Sequence, residues 1–153
     1  MQHMKSTEKR CNSVEETLAL GESIGKLLRG GEIIELQGDV GAGKTTFVRG
    51  LAAGIGSKDH VSSPTLTVRN VYQGRITLHH LDLYRLHEPG LIEHELHEII
   101  DQAHDSIVVE WAETLHDTLP EARVTLSFLA PEETLRVITV ESPPELSYIE
   151  DAL

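Results

Sequence analysis

The stretch that decides the fold is LQGDVGAGKTTF, from Leu36 to Phe47. Between Gly38 and Thr45 it matches the pattern G-x-x-x-x-G-K-[ST] at every fixed position. Glycines allow a positive φ and let the backbone approach a ligand without a Cβ in the way. Successive backbone N–H groups can then point inward and bind an anion. The stretch therefore predicts a loop that wraps the phosphates of a nucleotide.

The segments on either side of this loop give the context that the pattern requires. EIIELQ (32–37) predicts a short strand, and KTTFVRGLAAGIG, which starts at Lys44, predicts a helix that ends near Gly54 to Gly56. A helix N-terminus adds a positive dipole end to the anion site. The alternative, a glycine-rich turn that carries Lys-Thr by chance, is disfavoured because a strand precedes the loop and a helix follows it.

The loop and the start of the helix together predict the phosphate contacts. Lys44 can reach the β- and γ-phosphates, Thr45 can offer its hydroxyl to Mg²⁺, and Thr46 is placed to touch the α-phosphate. The predicted nucleotide-binding residues of this stretch are Gly38, Asp39, Val40, Gly41, Ala42, Gly43, Lys44, Thr45 and Thr46.

The nucleotide is predicted to be ATP, bound with Mg²⁺. The N-K-x-D run that reads guanine in GTPases of the Ras type does not occur in the sequence. The arginines are scattered, unlike those of the lid in small-molecule kinases, and Arg85 is the one candidate for an arginine finger, a residue worth about 10³–10⁵ in rate. We therefore expect slow hydrolysis by the isolated chain and faster hydrolysis when a partner completes the site.

The remaining pattern predicts further helices and strands. Ser13 and Glu16 form a capping box ahead of an amphipathic helix over 14–29. LTVRNVY (66–72) and RITLHHLDL (75–83) flank Gln73-Gly74 and predict a β-hairpin. The pattern also predicts a helix over 91–100, a buried strand over 106–110 and two late strands over 122–129 and 134–140.

These elements predict an α/β protein of the P-loop NTPase-like type. We expect a three-layer sandwich with helices on both faces of a mixed sheet that contains an antiparallel hairpin. Residues 1–12 are expected to form a flexible N-terminal arm, residues 13–140 a single ATPase domain, and residues 141–153 a flexible acidic tail. A chain of 153 residues is long enough for one such domain with a core of its own.

Composition narrows the functional classes. Acidic residues number 25 and basic residues 13, and the net charge of −12 argues against autonomous binding of nucleic acid, which favours a basic surface. The sequence contains neither an apolar run that could span a membrane nor the apolar segment of a secretory signal at its start. The lone cysteine, Cys11, cannot form an internal disulfide, so we expect a cytoplasmic protein.

Two acids at the ends of predicted strands are candidate catalytic and metal-binding residues. Asp82 follows ITLHHL and Glu110 ends SIVVE. Ligands gather at the carboxyl ends of strands in α/β sheets, where an acid can hold Mg²⁺ or orient water. Each acid could instead cap its strand in solvent. His80 and Trp111, close to these acids in sequence, could contact the nucleotide or a partner, although core packing or a solvent-facing position explains them equally well.

Four motifs follow one another at compact spacing: GDVGAGKTTFVRG, SSPTLTV, HHLDLYRL and VEWAE. In this set and order the chain resembles the TsaE family, also called YjeE, which are small bacterial P-loop ATPases needed to make threonylcarbamoyladenosine in tRNA. The resemblance runs from about Ser13 to Val140. It implies an ATPase that acts with TsaD-like and TsaB-like proteins and resets their complex between rounds. tRNA would be reached only through that complex, and no membrane is involved.

The motif match also implies roles for individual residues. Lys44, Glu110 and Asp82 would be the catalytic residues, and Thr45, Asp82 and Glu110 would hold the metal or the attacking water. Thr65 in SSPT resembles a switch residue that senses the γ-phosphate.

The resemblance reaches two residues outside these motifs and departs from the family at two others. Thr17 and Arg136 occupy places where the family approaches the base and the sugar of the nucleotide. Leu66 stands where members often have an aromatic residue, and Ala112 stands where they often have a proline. Both departures bear on local loop shape more than on nucleotide binding.

Two other functions fit the same loop. A small-molecule kinase would consume ATP stoichiometrically with a metabolite that becomes phosphorylated. A non-catalytic interaction module would use the nucleotide only to order an interface, and replacing Glu110 by Gln would then leave its activity unchanged.

Overall fold

The computed structural model of the chain describes residues 3–39, 41–58, 69–83, 89–102, 104–112 and 118–153. Within these residues the helices are α1 (Val14–Leu27), α2 (Lys44–Gly54), α3 (Pro89–Ile100) and a C-terminal 3-10 helix (Pro144–Ala152). The strands are β1 (Lys5–Cys11), β2 (Ile33–Gln37), β3 (Arg69–Gln73), β4 (Thr77–Asp82), β5 (Asp105–Glu110), β6 (Val124–Leu129) and β7 (Arg136–Ser142).

The strands of the described residues form one mixed sheet of seven, in the order β1-β7-β6-β2-β5-β4-β3. The central strands β6, β2, β5 and β4 are parallel, while β7, β1 and β3 run antiparallel to their neighbours. The mixed α/β fold and the predicted hairpin are therefore confirmed. Strand β2 lies in the middle, so the loop that follows it opens at the carboxyl ends of the parallel strands, beside the ends of β5 and β6.

The helices cover both faces of this sheet. Successive residues of a strand point to opposite faces, and β2 shows this alternation. Ile34 and Leu36 pack in the larger hydrophobic cluster, which includes residues of α1 and α2. Ile33 packs in a second cluster with Leu96 of α3. The loop after β2 is thus held between a buried strand and α2, both anchored in the larger cluster.

Helices α1 and α2 approach each other through glycines. A Cβ on Gly21 would lie 2.3 Å from the carbonyl oxygen of Phe47, and a Cβ on Gly50 would lie 2.4 Å from that of Leu18. The next glycine of each helix, Gly25 and Gly54, is in the same kind of contact. Since Gly21 faces Gly50 and Gly25 faces Gly54, the two helices run parallel, and both begin at the end of the sheet that carries the loop.

Replacing Gly50 by alanine is expected to destabilise the fold. The added methyl cannot fit beside the α1 backbone, and the overpacking exceeds the gain in helix propensity, for a net loss of about 2 kcal/mol. Thermal unfolding should show a melting temperature lower by roughly 4–8 °C. Ala53→Ser, on the exposed side of the same helix, is the control. An unchanged melting temperature for Gly50→Ala would contradict the glycine contact.

The N-terminal residues form a strand, where the sequence predicted a flexible arm over residues 1–12. Lys5–Cys11 pairs antiparallel with β7 over its whole length, from Lys5 opposite Ser142 to Cys11 opposite Arg136. Cys11 is fully buried, and most of the other side chains of β1 are exposed. Charged residues are typical of edge strands because they discourage further pairing. The same charges made the segment look irregular in the sequence.

The C-terminal residues are also ordered, where the sequence predicted a flexible acidic tail over 141–153. β7 continues to Ser142, and a 3-10 helix follows with a proline in its first turn, a position that tolerates proline. Ile149 is fully buried in the larger cluster, and Ser142 donates a hydrogen bond to Glu150. The prolines therefore start this helix, and an apolar side chain anchors it.

Glu32, just before β2, ties the C-terminal helix to the sheet. Its carboxylate accepts hydrogen bonds from the Tyr148 hydroxyl (2.5 Å), the Ser106 hydroxyl (2.7 Å) and the backbone N–H groups of Arg29 and Gly30 (2.7 and 2.8 Å). Burial alone would raise the pKa of Glu32, but these hydrogen bonds outweigh it and lower the pKa below its ordinary value. The carboxylate is therefore held charged at the end of β2 opposite the loop.

Candidate functional site

The glycine-rich loop takes backbone conformations that favour glycine. Gly38, Gly41 and Gly43 have φ angles of 143°, 84° and 104°. At Gly38 a Cβ would also lie 2.7 Å from the carbonyl oxygen of Phe128. Gly43 directly precedes α2 and has no side chain that could cap the helix, so the N–H groups of the first turn are suited to an anionic ligand. Inside the loop, Ala42 N–H donates to Asp39 O at 3.1 Å.

Lys44 is the first residue of α2, and its ammonium group lies between the loop and the two consecutive residues Glu110 and Trp111. The side chain is only 5% exposed. Nζ donates to Gly38 O at 2.5 Å, lies 3.8 Å from Glu110 Oε1, and stands 4.2 Å from the centre of the Trp111 ring. The loop, the end of β5 and the residue after β5 thus share one buried positive charge.

The two predicted acids lie side by side at the mouth of the loop. Asp82 and Glu110 end the parallel strands β4 and β5 and are register partners, so their side chains share one face of the sheet. Glu110 is the register partner of Leu36 on β2, and Leu36 packs in the cluster that contains residues of α2. The two acids therefore lie on the face of the sheet that α2 covers. Glu110 is buried and Asp82 is half-buried. The sequence-predicted catalytic residues Lys44 and Glu110 are therefore in contact, and Asp82 is adjacent to them.

The donor set fits a magnesium ion that is shared with phosphates. No cluster of three or more His, Cys, Asp or Glu side chains suited to a metal occurs in the part of the chain that the structure describes. Mg²⁺ in nucleotide sites takes one or two carboxylates, a hydroxyl, water and the phosphates themselves, so it does not need such a cluster. Thr45, in the first turn of α2, together with Asp82 and Glu110, offers oxygen ligands of this kind.

His80 and Trp111, which the sequence left open, both lie in the site. His80 Nε2 is 2.5 Å from Glu110 Oε2, and His80 is fully buried. Trp111 has a φ of 59°, in the left-handed region that a bulky residue seldom adopts. Strained backbone of this kind clusters at functional sites, and here it brings the indole ring over Lys44.

Arg136 lies against the loop, and Thr17 lies at the same end of the molecule. The Arg136 guanidinium donates to the carbonyls of Glu132 (3.2 Å) and Glu133 (3.0 Å), and more weakly to Gly41 O (3.4 Å). Thr17 is buried in the first turn of α1, where its hydroxyl donates to Ser13 O at 3.4 Å. The parallel packing of α1 on α2 puts this turn level with the start of α2.

A cleft of ≈ 240 Å³ opens beside the loop, and sequence reasoning missed its second wall. Asp39, Gly41 and Ala42 form one side, and the other is formed by Phe128 and Leu129 at the end of β6 and by Ala130 directly after it. The sequence signal was the predicted strand over 122–129, but the wall follows only from its parallel pairing with β2, which opens its carboxyl end at the same edge. What the sequence did not give was which late strand pairs with β2.

Some predicted site residues lie outside the residues that the structure describes. These are Val40 of the loop, Thr65 of the SSPT motif and Arg85. In the described part of the chain, no helix has the length and apolar character needed to cross a membrane.

Comparisons with known proteins agree on one family. The model of the family described as "Threonylcarbamoyl adenosine biosynthesis protein TsaE" matches residues 11–138. The chain is 39% identical over 140 residues to the "tRNA threonylcarbamoyladenosine biosynthesis protein TsaE" of Treponema pallidum, which covers 86% of this chain and 98% of that protein. It is 34% identical over 139 residues to the protein of the same name from Bacillus subtilis, covering 89% of this chain and 85% of the relative.

A solved structure has the same fold. The crystal structure of YdiB from Bacillus subtilis superposes with a TM-score of 0.80 at 27% sequence identity, over 99% of this chain and 94% of that one.

Proposed function

Since this chain belongs to the TsaE family, whose role is in tRNA threonylcarbamoyladenosine biosynthesis, we propose that it supplies ATP binding and ATP hydrolysis to that process. The observation that carries the proposal is the buried contact between Lys44 and Glu110 at the mouth of the glycine-rich loop. A lysine suited to binding phosphate and a carboxylate suited to accepting a proton from water are in contact, with Lys44 Nζ 3.8 Å from Glu110 Oε1.

Phosphate binding is the task of the loop and of the first turn of α2. The backbone N–H groups there form an anion site, and Lys44 adds a buried positive charge. Hydrogen bonds to charged acceptors are worth about 1.5–3 kcal/mol each, so a few of them support micromolar affinity. Lys44 already donates to Gly38 O, and it would exchange this carbonyl for phosphate oxygens when ATP binds.

The reaction proposed for the site is attack of water on the γ-phosphate, which breaks the bond from the γ-phosphorus to the β–γ bridging oxygen and releases ADP and phosphate. Glu110 accepts a proton from the water or orients it, and Lys44 stabilises charge on the phosphate oxygens. Thr45 and Asp82 would hold Mg²⁺, which when bound neutralises the phosphates. Arg136, which lies against the loop, would face the sugar, and Thr17, in the first turn of α1, would face the base.

The partners proposed are TsaD-like and TsaB-like proteins, in the cytoplasm. The net charge of −12 makes direct binding of tRNA unfavourable, so tRNA would be held by the partners. ATP hydrolysis by this chain would then reset the partner complex between rounds of modification.

The test of the proposed function is the effect of partners on ATP turnover. No arginine finger is identified in the described site, and a finger supplied by a partner can raise the rate by about 10³–10⁵-fold. We expect purified TsaD-like and TsaB-like proteins to raise phosphate release by the chain at least about tenfold. The partners mixed with Glu110→Gln are the control for their own ATPase activity. Equal rates with and without partners would contradict the proposal.

A further inference from the structure

A buried hydrogen bond joins neighbouring strands beside the loop. His80 of β4 and Glu110 of β5 are 0% and 4% exposed, and His80 Nε2 lies 2.5 Å from Glu110 Oε2. The other carboxylate oxygen, Oε1, lies 3.8 Å from Lys44 Nζ. One carboxylate is therefore shared between an imidazole fixed on a strand and a lysine that serves the loop.

The surroundings of the imidazole indicate which group donates in the hydrogen bond between His80 and Glu110. His80 Nδ1 is buried and has no hydrogen-bond partner among the residues that the structure describes. A proton on Nδ1 would be a buried donor without an acceptor, which costs free energy. The tautomer with its proton on Nε2 avoids that cost and donates to Glu110. Hydrogen bonds to a carboxylate are short and strong, so this one restrains the orientation of Glu110.

The lysine contact cannot hold Glu110 during turnover. When ATP binds, the phosphate oxygens compete with Glu110 Oε1 for the Lys44 ammonium, and the contact between Lys44 and Glu110 weakens. His80 lies on β4 rather than in the loop, and its contact with Oε2 does not depend on Lys44. We propose that His80 is a positioning residue, which keeps the Glu110 carboxylate aimed at the attacking water after Lys44 has moved to the nucleotide. This inference rests on the ATP hydrolysis proposed above.

The test uses two substitutions of His80 and one matched control. His80→Leu removes the donor, and His80→Gln restores an N–H group near the position of Nε2. His79 is the control, because it is a buried histidine of the same strand with the same kind of bond, from Nε2 to Asp105 Oδ2 at 2.7 Å. Its side chain points to the opposite face of the sheet, away from the loop.

The expected result separates positioning from folding. With partners present, His80→Leu should lower kcat by about 10–100-fold, the range found when a hydrogen-bond partner that orients a metal-site ligand is lost. KM for ATP should stay unchanged, and His80→Gln should recover most of kcat. His79→Leu should lower the melting temperature without lowering kcat. If His80→Leu does not fold, His80→Asn takes its place, since the Asn amide is too short to reach Glu110.

A second measurement does not depend on turnover. MgADP with aluminium fluoride mimics the transferring phosphoryl group with its attacking water, whereas a non-hydrolysable ATP analogue mimics the bound substrate. By calorimetric titration, His80→Leu should bind MgADP with aluminium fluoride about tenfold more weakly than the wild type does. Its affinity for the non-hydrolysable ATP analogue should be unchanged.

The outcomes distinguish this inference from the proposed function. If His80→Leu has the same kcat as an active wild type, the inference is overturned and the proposed function stands. The same holds if His79→Leu loses as much kcat as His80→Leu. A wild-type chain without turnover in the presence of partners would overturn the proposed function and this inference with it.

Discussion

Replacing Glu110 by glutamine is expected to lower ATP turnover by about 10²–10⁴-fold, the usual contribution of a general base. Glutamine keeps the shape of the side chain, and its carbonyl oxygen can still accept from His80 Nε2. It cannot take a proton from water. The substitution also removes the negative charge that lies 3.8 Å from Lys44 Nζ, so the ammonium becomes more available to phosphates. Single-turnover phosphate release should therefore fall while calorimetry shows ATP affinity unchanged or slightly raised.

A matched control for this substitution is Glu35→Gln. Glu35 is another buried carboxylate, on β2, and it accepts from Arg123 Nε at 3.0 Å. It lies one residue along β2 from Leu36 and so faces away from the loop. We expect Glu35→Gln to lower the free energy of unfolding and to leave ATP turnover unchanged. Normal ATP turnover in Glu110→Gln would contradict the catalytic role of Glu110. Lost turnover with intact function of the modification complex would favour a non-catalytic module over an ATPase.

Replacing Lys44 by alanine is expected to weaken ATP binding by about 10²-fold or more. The loss corresponds to one or two hydrogen bonds between a charged donor and phosphate oxygens, at about 1.5–3 kcal/mol each. Lys26→Ala, which removes an exposed lysine of α1, is the control for the change in net charge. A calorimetric titration that shows undiminished affinity in Lys44→Ala would rule out the phosphate role of Lys44.

The fold of the Lys44 variant needs a separate check. Removing the ammonium leaves the buried Glu110 carboxylate with His80 but without its positive neighbour, and a buried charge that loses its partner destabilises a protein. Lys44→Met keeps the aliphatic stem beside Trp111 and serves as the second variant. Both should unfold cooperatively, at a somewhat lower melting temperature than the wild type.

The local chemistry of the site could be predicted from sequence, because it is encoded in short runs. The pattern from Gly38 to Thr45 gave the loop, and the rule that ligands gather at strand ends picked out Asp82 and Glu110. These two acids are 28 positions apart in sequence, yet the parallel register of β4 and β5 makes them neighbours. Which nucleotide and metal the loop binds, and the roles of Thr17 and Arg136, stay predictions.

The parts that sequence reasoning missed depend on contacts between distant residues. Whether Lys5–Cys11 forms a strand is decided by β7, more than 120 positions away, and the charged side chains of this edge strand hide its pairing. The C-terminal helix is held by Tyr148 on Glu32, a pair 116 positions apart. Neither the pairing partner nor the register can be read from local periodicity. The same limit applies to His80, whose partner Glu110 is specified by register alone.

The paired N-terminus and the anchored C-terminus have a consequence for the design of expression fragments. A piece trimmed to residues 13–140 would retain every motif and look complete. It would expose the backbone of β7 along the edge that begins at Arg136, and unpaired edges invite aggregation. It would also lack Tyr148, whose hydroxyl donates a hydrogen bond to Glu32. Weak activity in such a piece would therefore reflect the trimming, and affinity tags on the 153-residue chain are best joined through long, cleavable spacers.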